Sequence, residues 1–142
     1  MMEREMTRTV ELTRVYHFSA AHCLENPRLS AAGNAALYGP CARPHGHNYY
    51  LEVTVAGVPD RTTGMAVDLE DLDRTVERCI LEQVDHHQLE RAPALAGVIT
   101  TGEGLARAFW STLVTALPPA RLRRVVVQET AKNRFEYRGG EA

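Results

Sequence analysis

The sequence predicts an α+β protein in which an antiparallel β-sheet carries two helices on one face. Apolar and polar residues alternate over residues 9–23 and 45–55, which is the period of strands with one buried face. Apolar residues recur at helical spacing over residues 69–83, and again after residue 101. Two strands, two helices and two further strands follow one another, and this order is typical of α+β folds.

The segments between these elements have their own signals. Residues 24–44 are rich in Gly, Pro and Asn, so we expect a long loop there. A turn at "GVPDRTTG" leads to an expected short strand at residues 65–67. Asp68 is placed to cap the first helix, and Thr100 with Glu103 has capping-box spacing for the second. The stretches "RLRRVVVQET" and "RFEYR" are the expected last two strands.

Length and composition limit the classes of protein to consider. The 142 residues suit one domain, residues 1–142, and 44% hydrophobic content is ordinary for a packed core. The net charge of −2 favours neither a nucleic acid nor an anionic membrane as partner. No membrane span or secretory signal is present in the sequence, so we expect a cytoplasmic protein. Three cysteines do not suggest a disulfide framework.

Three histidines are placed to converge. His22 ends the apolar face of the first strand, while His45 and His47 begin that of the second. If the two strands pair antiparallel, these ends meet and the imidazoles share one sheet face. Three histidines with an open fourth position are common at catalytic zinc sites, although imidazole also suits iron, copper and nickel. The alternative is a set of unrelated polar residues in a loop.

Other reactive groups have both a functional and a structural interpretation. Cys41 lies in the Gly/Pro-rich loop four residues before His45, where a cation would favour its thiolate; it could also be a packed loop cysteine. Asp85 beside His86 suits an acid/base pair. The structural alternative is a helix C-terminus whose dipole is stabilised by the neighbouring histidine. Glu129 ends an apolar strand, and either faces solvent or accepts two parallel donors from a heterocycle edge.

Taken together, "FSAAH", "HGHNY", "DHHQL", "TTGEGLA" and "QET" resemble, in this order, the 6-pyruvoyl-tetrahydropterin synthase / 6-carboxy-tetrahydropterin synthase family. The resemblance runs from about residue 15 to residue 137. It implies the tunnelling fold, or T-fold, with a four-stranded antiparallel sheet and two helices on one face. It also implies a homo-hexamer of two stacked trimers, active sites between subunits, and 7,8-dihydroneopterin triphosphate as the substrate.

The resemblance further implies roles for nine residues. The zinc ligands are His22, His45 and His47. The groups that transfer protons are Cys41, Asp85 and His86. The pterin ring is held by Glu129, with Thr101 and Glu103 nearby.

Features of two branches of the family occur together. The spacing C-x-x-x-H at Cys41 resembles the 6-carboxy enzyme of queuosine (7-deazaguanine) biosynthesis, which releases triphosphate and acetaldehyde, and we take this as the first interpretation. The long loop resembles the 6-pyruvoyl branch, the alternative. Cys23, Gly102 and Gly104 depart from the family pattern. A zinc and pterin-binding protein without lyase activity is a further alternative, and so is a Cys–His–Asp hydrolase, although no nucleophile elbow is present.

Overall fold

The sheet is a meander of four antiparallel strands in chain order. The strands are β1 (Val10–His22), β2 (His45–Gly57), β3 (Leu122–Thr130) and β4 (Asn133–Tyr137). This computed structural model describes residues 8–140. The expected absence of a secretory signal concerns the start of the chain, which lies outside the described residues. The α+β prediction is confirmed, with two helices packed on one face of the sheet.

Within residues 8–140, three main helices accompany the sheet. They are α1 (Ala31–Tyr38), α2, which begins as Leu69–Val76, and α3 (Gly102–Ala116). Helix α2 continues through a π-helical segment, Glu77–Leu81, and ends in the turn Glu82–Val84. Short 3₁₀ turns cover Gly39–Ala42, Leu89–Arg91 and Pro93–Leu95. Within residues 8–140, no helix is both long and apolar enough to cross a bilayer.

The core lies between the sheet and helices α2 and α3. Even-numbered residues of β1 and odd-numbered residues of β2 and β3 point towards these helices, as the alternation predicts. The main contributions come from Phe18, Tyr49, Leu51, Val53, Val125, Val127, Leu72, Val76, Ile80, Leu105, Phe109 and Leu113. Because His22 and His47 share these faces, the core continues directly into the histidines at one end of the sheet.

The expected long loop at residues 24–44 is wrong in part, because α1 forms within it. Ser30 caps this helix by accepting a hydrogen bond from the Gly33 amide at 3.0 Å. Asn34 is buried and ties the preceding turn, since its Oδ1 accepts from the Asn26 amide and its Nδ2 donates to the Asn26 carbonyl. Two asparagines therefore order a segment whose composition is typical of a loop.

Two smaller predictions are also wrong. Residues 65–67 are not a strand, because residues 60–65 fold back on themselves through the Asp60 amide and carbonyl. The Ala66 carbonyl accepts from the Arg121 guanidinium and not from a neighbouring strand. Helix α3 is capped by Thr101, whose hydroxyl accepts from the Gly104 amide at 3.1 Å, so Thr100 is free for another contact. Asp68 caps α2 as predicted.

Candidate metal centre and active site

Strand pairing brings the three predicted histidines together. His22 lies directly opposite His45, and His47 opposes Ala20 two residues along β1. The ring centroids are 4.4 Å apart for His22 and His45, 5.1 Å for His22 and His47, and 5.0 Å for His45 and His47. One nitrogen from each ring lies within 4.8 Å of the other two. Within residues 8–140, no cysteine or acidic residue joins this cluster of mutually close ligand atoms.

Hydrogen bonds fix which nitrogen is available in two of the rings. Nδ1 of His22 contacts the Thr100 carbonyl at 2.9 Å, and Nδ1 of His45 contacts the Arg43 carbonyl at 2.8 Å. Because a carbonyl oxygen only accepts, both Nδ1 atoms carry the proton and both Nε2 atoms keep a lone pair. Nε2 of His22 and Nε2 of His47 are buried without a hydrogen-bond partner in the described part of the chain. This donor set fits a metal ion such as Zn2+.

Burial favours the neutral form, which a metal requires, in two of the three histidines. Burial, followed by the nearby His45, lowers the pKa of His22 to about 4. Burial also lowers the pKa of His47, against the opposing effect of Glu129. Neither ring therefore needs to lose a proton near pH 7 before it binds a cation.

A second group of residues, which no sequence motif indicated, lies against the histidines. The Thr100 hydroxyl lies 3.2 Å from Nδ1 of His22 and donates to Oε1 of Glu90 at 2.8 Å. The same Glu90 oxygen accepts from the Cys23 amide at 2.9 Å. Tyr49 is fully buried beside His22 and His47, and its hydroxyl has no partner among residues 8–140. Because these contacts join residues that are far apart in the chain, no local sequence pattern predicts them.

Cys41 is exposed in the 3₁₀ turn that leads into β2. Its carbonyl accepts from the Leu24 amide at 2.7 Å, which ties the turn to the chain just beyond β1. The Arg43 carbonyl, just after this turn, accepts from Nδ1 of His45, so hydrogen bonds connect the turn to the histidine cluster. The thiol is not one of the clustered ligand atoms. Cys41 is therefore an exposed residue in the segment that leads directly to His45.

Asp85 and His86 lie beside the outer edge of β1, where the His86 amide donates to the Ser19 carbonyl at 2.7 Å. Oδ1 of Asp85 accepts from the Ser19 amide at 3.0 Å, and it lies 3.0 Å from Nδ1 of His86. The Ser19 amide, followed by the His86 side chain, lowers the pKa of Asp85. The His86 side chain is 82% exposed and its φ is +61°. An open groove runs between this loop and the part of β2 that carries His47.

The three predicted pterin contacts differ in their surroundings. Oε1 of Glu129 lies 3.3 Å from Nε2 of His47, although without the alignment of a hydrogen bond. Glu129 therefore lies beside the histidine cluster, and its side chain is only 18% exposed. Thr101 is occupied as the cap of α3, and Glu103 is exposed in the first turn of that helix.

Two departures from the family pattern have a steric reason. A side chain at Gly102 would overlap the ring of Phe135 on β4, and one at Gly104 would overlap the Ile99 carbonyl oxygen. Phe135 therefore occupies the volume that a side chain at position 102 would need. The wall beside Thr101 is aromatic as a result.

We expect Gly102→Thr to lower the free energy of unfolding by about 1–3 kcal/mol, since the new side chain must displace the Phe135 ring. Adding Phe135→Val should recover part of this loss, because the smaller residue frees the same volume. Urea denaturation of the wild type, both single variants and the double variant measures the coupling. Strictly additive effects would contradict this account of the two positions.

Comparisons with known proteins agree on one family. The family model for 6-pyruvoyl tetrahydropterin synthase matches residues 11–140. A 6-pyruvoyl tetrahydrobiopterin synthase from Poecilia reticulata is 43% identical over 131 residues, which are 90% of this chain and 89% of the relative. A 6-carboxy-5,6,7,8-tetrahydropterin synthase from Aquifex aeolicus is 25% identical over 158 residues, covering 90% of this chain and 97% of that protein.

A solved structure leads to the same family. The 6-pyruvoyl tetrahydropterin synthase of Caenorhabditis elegans superposes with a TM-score of 0.85 at 35% identity, covering 93% of this chain and 96% of that one. The T-fold implied by the sequence motifs is thereby confirmed. This chain belongs to the 6-pyruvoyl tetrahydropterin synthase family.

Proposed function

We propose that the protein is a zinc-dependent 6-pyruvoyl-tetrahydropterin synthase that eliminates triphosphate from 7,8-dihydroneopterin triphosphate. The observation that carries this proposal is the cluster of His22, His45 and His47, in a chain of this family, with two buried Nε2 atoms that have no hydrogen-bond partner in the described residues. Relatives named as 6-pyruvoyl enzymes match at 36–43% identity, against 25% for a 6-carboxy enzyme. They favour the alternative over the first interpretation of the sequence.

His22, His45 and His47 would hold the metal with one position open to substrate. Bound zinc would supply Lewis-acid polarisation of side-chain oxygens of the substrate and so acidify the neighbouring C–H and O–H groups. Cys41, an exposed residue in the segment leading to His45, would take up and return the protons made acidic in this way. Its exposed sulfur is free to approach the substrate side chain because it is not a metal ligand.

Asp85 and His86 would form the second acid/base pair. Their 3.0 Å contact orients the imidazole, and the Ser19 amide keeps the carboxylate ionised. The exposure of His86 and the position of β1 as an edge strand of the sheet support an active site completed between subunits. We therefore propose the homo-hexamer of two trimers as the working assembly.

Glu129 would anchor the pterin ring. A pterin presents an amino group beside a ring N–H, and these two parallel donors match one carboxylate. Glu129 stands next to His47, so a ring held there would extend its side chain towards the metal. Thr101 and Glu103 at the start of α3 would border the ring, with Phe135 behind them.

The second candidate is 6-carboxy-tetrahydropterin synthase, which the C-x-x-x-H spacing at Cys41 favours. Both reactions release triphosphate, but only this one also releases acetaldehyde. The distinguishing measurement is therefore the fate of the substrate side chain.

We expect the zinc-loaded protein to convert 7,8-dihydroneopterin triphosphate to triphosphate and a 6-pyruvoyl pterin without acetaldehyde. Chromatography of the pterins together with an acetaldehyde assay checks this. Acetaldehyde in amounts equal to triphosphate would establish the 6-carboxy reaction instead. Tight pterin binding without turnover would establish a binding protein, and esterase activity that survives chelation would support the hydrolase.

A further inference from the structure

We infer that Glu90 is a positioning residue for the metal site, acting through Thr100 on His22. This inference rests on the metal centre of the proposed function and adds a residue to it. Glu90 is not a ligand, because its carboxylate is not among the clustered ligand atoms. Its effect would reach the metal through a continuous chain of hydrogen bonds.

The direction of this hydrogen-bond chain is fixed by chemistry. Nδ1 of His22 donates to the Thr100 carbonyl and lies 3.2 Å from the Thr100 hydroxyl oxygen. The hydroxyl hydrogen is already committed, because the carboxylate of Glu90 can only accept it. The Thr100 hydroxyl thus faces His22 with a lone pair, and the proton of His22 stays on Nδ1. Nε2 is left to face the metal.

Burial makes this arrangement strong. His22 and Thr100 are each 1% exposed, so their contacts are not weakened by competing water. Oε1 of Glu90 accepts hydrogen bonds from the Thr100 hydroxyl and the Cys23 amide. Oε2 is buried without a hydrogen-bond partner in the described residues. No Lys or Arg among residues 8–140 lies at ion-pair distance from Glu90.

Glu90 is partly exposed as a residue, but a carboxylate with one oxygen buried, without a hydrogen bond and without a cationic partner, is still costly to the fold. A divalent ion bound by His22 would supply a positive charge on the far side of the same hydrogen-bond chain. The attraction between this charge and Glu90 would strengthen metal binding, and the carboxylate would make the imidazole of His22 a better donor to the metal. Metal affinity is therefore the property that Glu90 should control.

Zinc dissociation constants, measured by competition with a chromophoric chelator, test this inference without any turnover. We expect Glu90→Gln, which keeps the shape but removes the charge, to bind zinc about 10–100-fold more weakly than the wild type. Thr100→Val should weaken zinc binding by a similar factor, because it breaks the link to the carboxylate. Thr100→Ser keeps the hydroxyl and should bind zinc like the wild type. Glu77→Gln removes an exposed carboxylate from α2 and is the matched control.

The melting temperature of each zinc-free chain separates positioning from a structural role. Glu90→Gln and Thr100→Val chains that melt lower but bind zinc within twofold of the wild type would overturn the inference. If one of the two variants fails to fold, the other, compared with Thr100→Ser, decides by the same criterion. A wild-type chain that binds no zinc would overturn both this inference and the proposed function. Zinc binding that is equal in the wild type and in both variants overturns this inference alone.

Discussion

A chain in which His45 is replaced by alanine is expected to fold but to lose zinc binding and turnover together. His45 is the best of the three histidines to remove, because it is partly exposed at the start of β2. His22 is fully enclosed and hydrogen-bonded to Thr100, so its removal would also open a cavity. The loss of His45 costs the fold one hydrogen bond to the Arg43 carbonyl near the surface.

The size of the effect follows from the number of ligands. Removal of one nitrogen from a three-histidine site should weaken zinc binding by more than about 100-fold, beyond the effect of losing an outer hydrogen-bond partner. Lewis-acid stabilisation is worth several kcal/mol, so turnover should fall by at least about 1,000-fold at limiting zinc. Metal analysis of the purified chain and the triphosphate-release assay give the two numbers.

His17→Ala is the matched control for metal content. His17 is on β1 like His22, but it lies on the opposite face and packs against Tyr50 with ring centroids 5.2 Å apart. We expect one zinc per chain in this variant. Full zinc content in His45→Ala would show that the three-histidine cluster is not the metal site.

The predictable part of the site follows from strand periodicity. Alternation assigned His22, His45 and His47 to one face, and antiparallel pairing then required the ends of β1 and β2 to meet. The observed register, with His22 opposite His45, is the consequence of these two rules. A period of two residues leaves no freedom about which side chains share a face.

What could not be predicted depends on contacts distant in sequence. Glu90 reaches His22 only because the turn after α2 packs behind β1, and no spacing in the sequence indicates this. Helix α1 was missed because Gly33 and Asn34 are poor helix formers, and its order comes from caps and from Asn34 bonds to the preceding turn. The Gly102 departure could be noted from the family motif, but the ring that explains it belongs to β4.

Replacement of Cys41 by alanine is expected to stop turnover while zinc and pterin binding remain. Cys41 is exposed and its thiol is not among the clustered ligand atoms, so its removal takes no ligand from the proposed metal site. The Leu24 bond to the residue 41 carbonyl and the Arg43 bond to His45 involve the main chain, which alanine preserves. The geometry of the metal site should therefore be unchanged.

The expected loss of activity in Cys41→Ala is about 100- to 10,000-fold, the usual contribution of a group that transfers protons in the transition state. Because zinc stays bound, this variant separates acid/base chemistry from Lewis-acid chemistry, whereas His45→Ala removes both. Cys79→Ala is the matched control, since its thiol lies partly buried on α2 against the core. Turnover and zinc content measured on the same preparations decide the question. Wild-type turnover in Cys41→Ala would require another base, and the Asp85–His86 pair, the other acid/base group proposed here, would be the next to test.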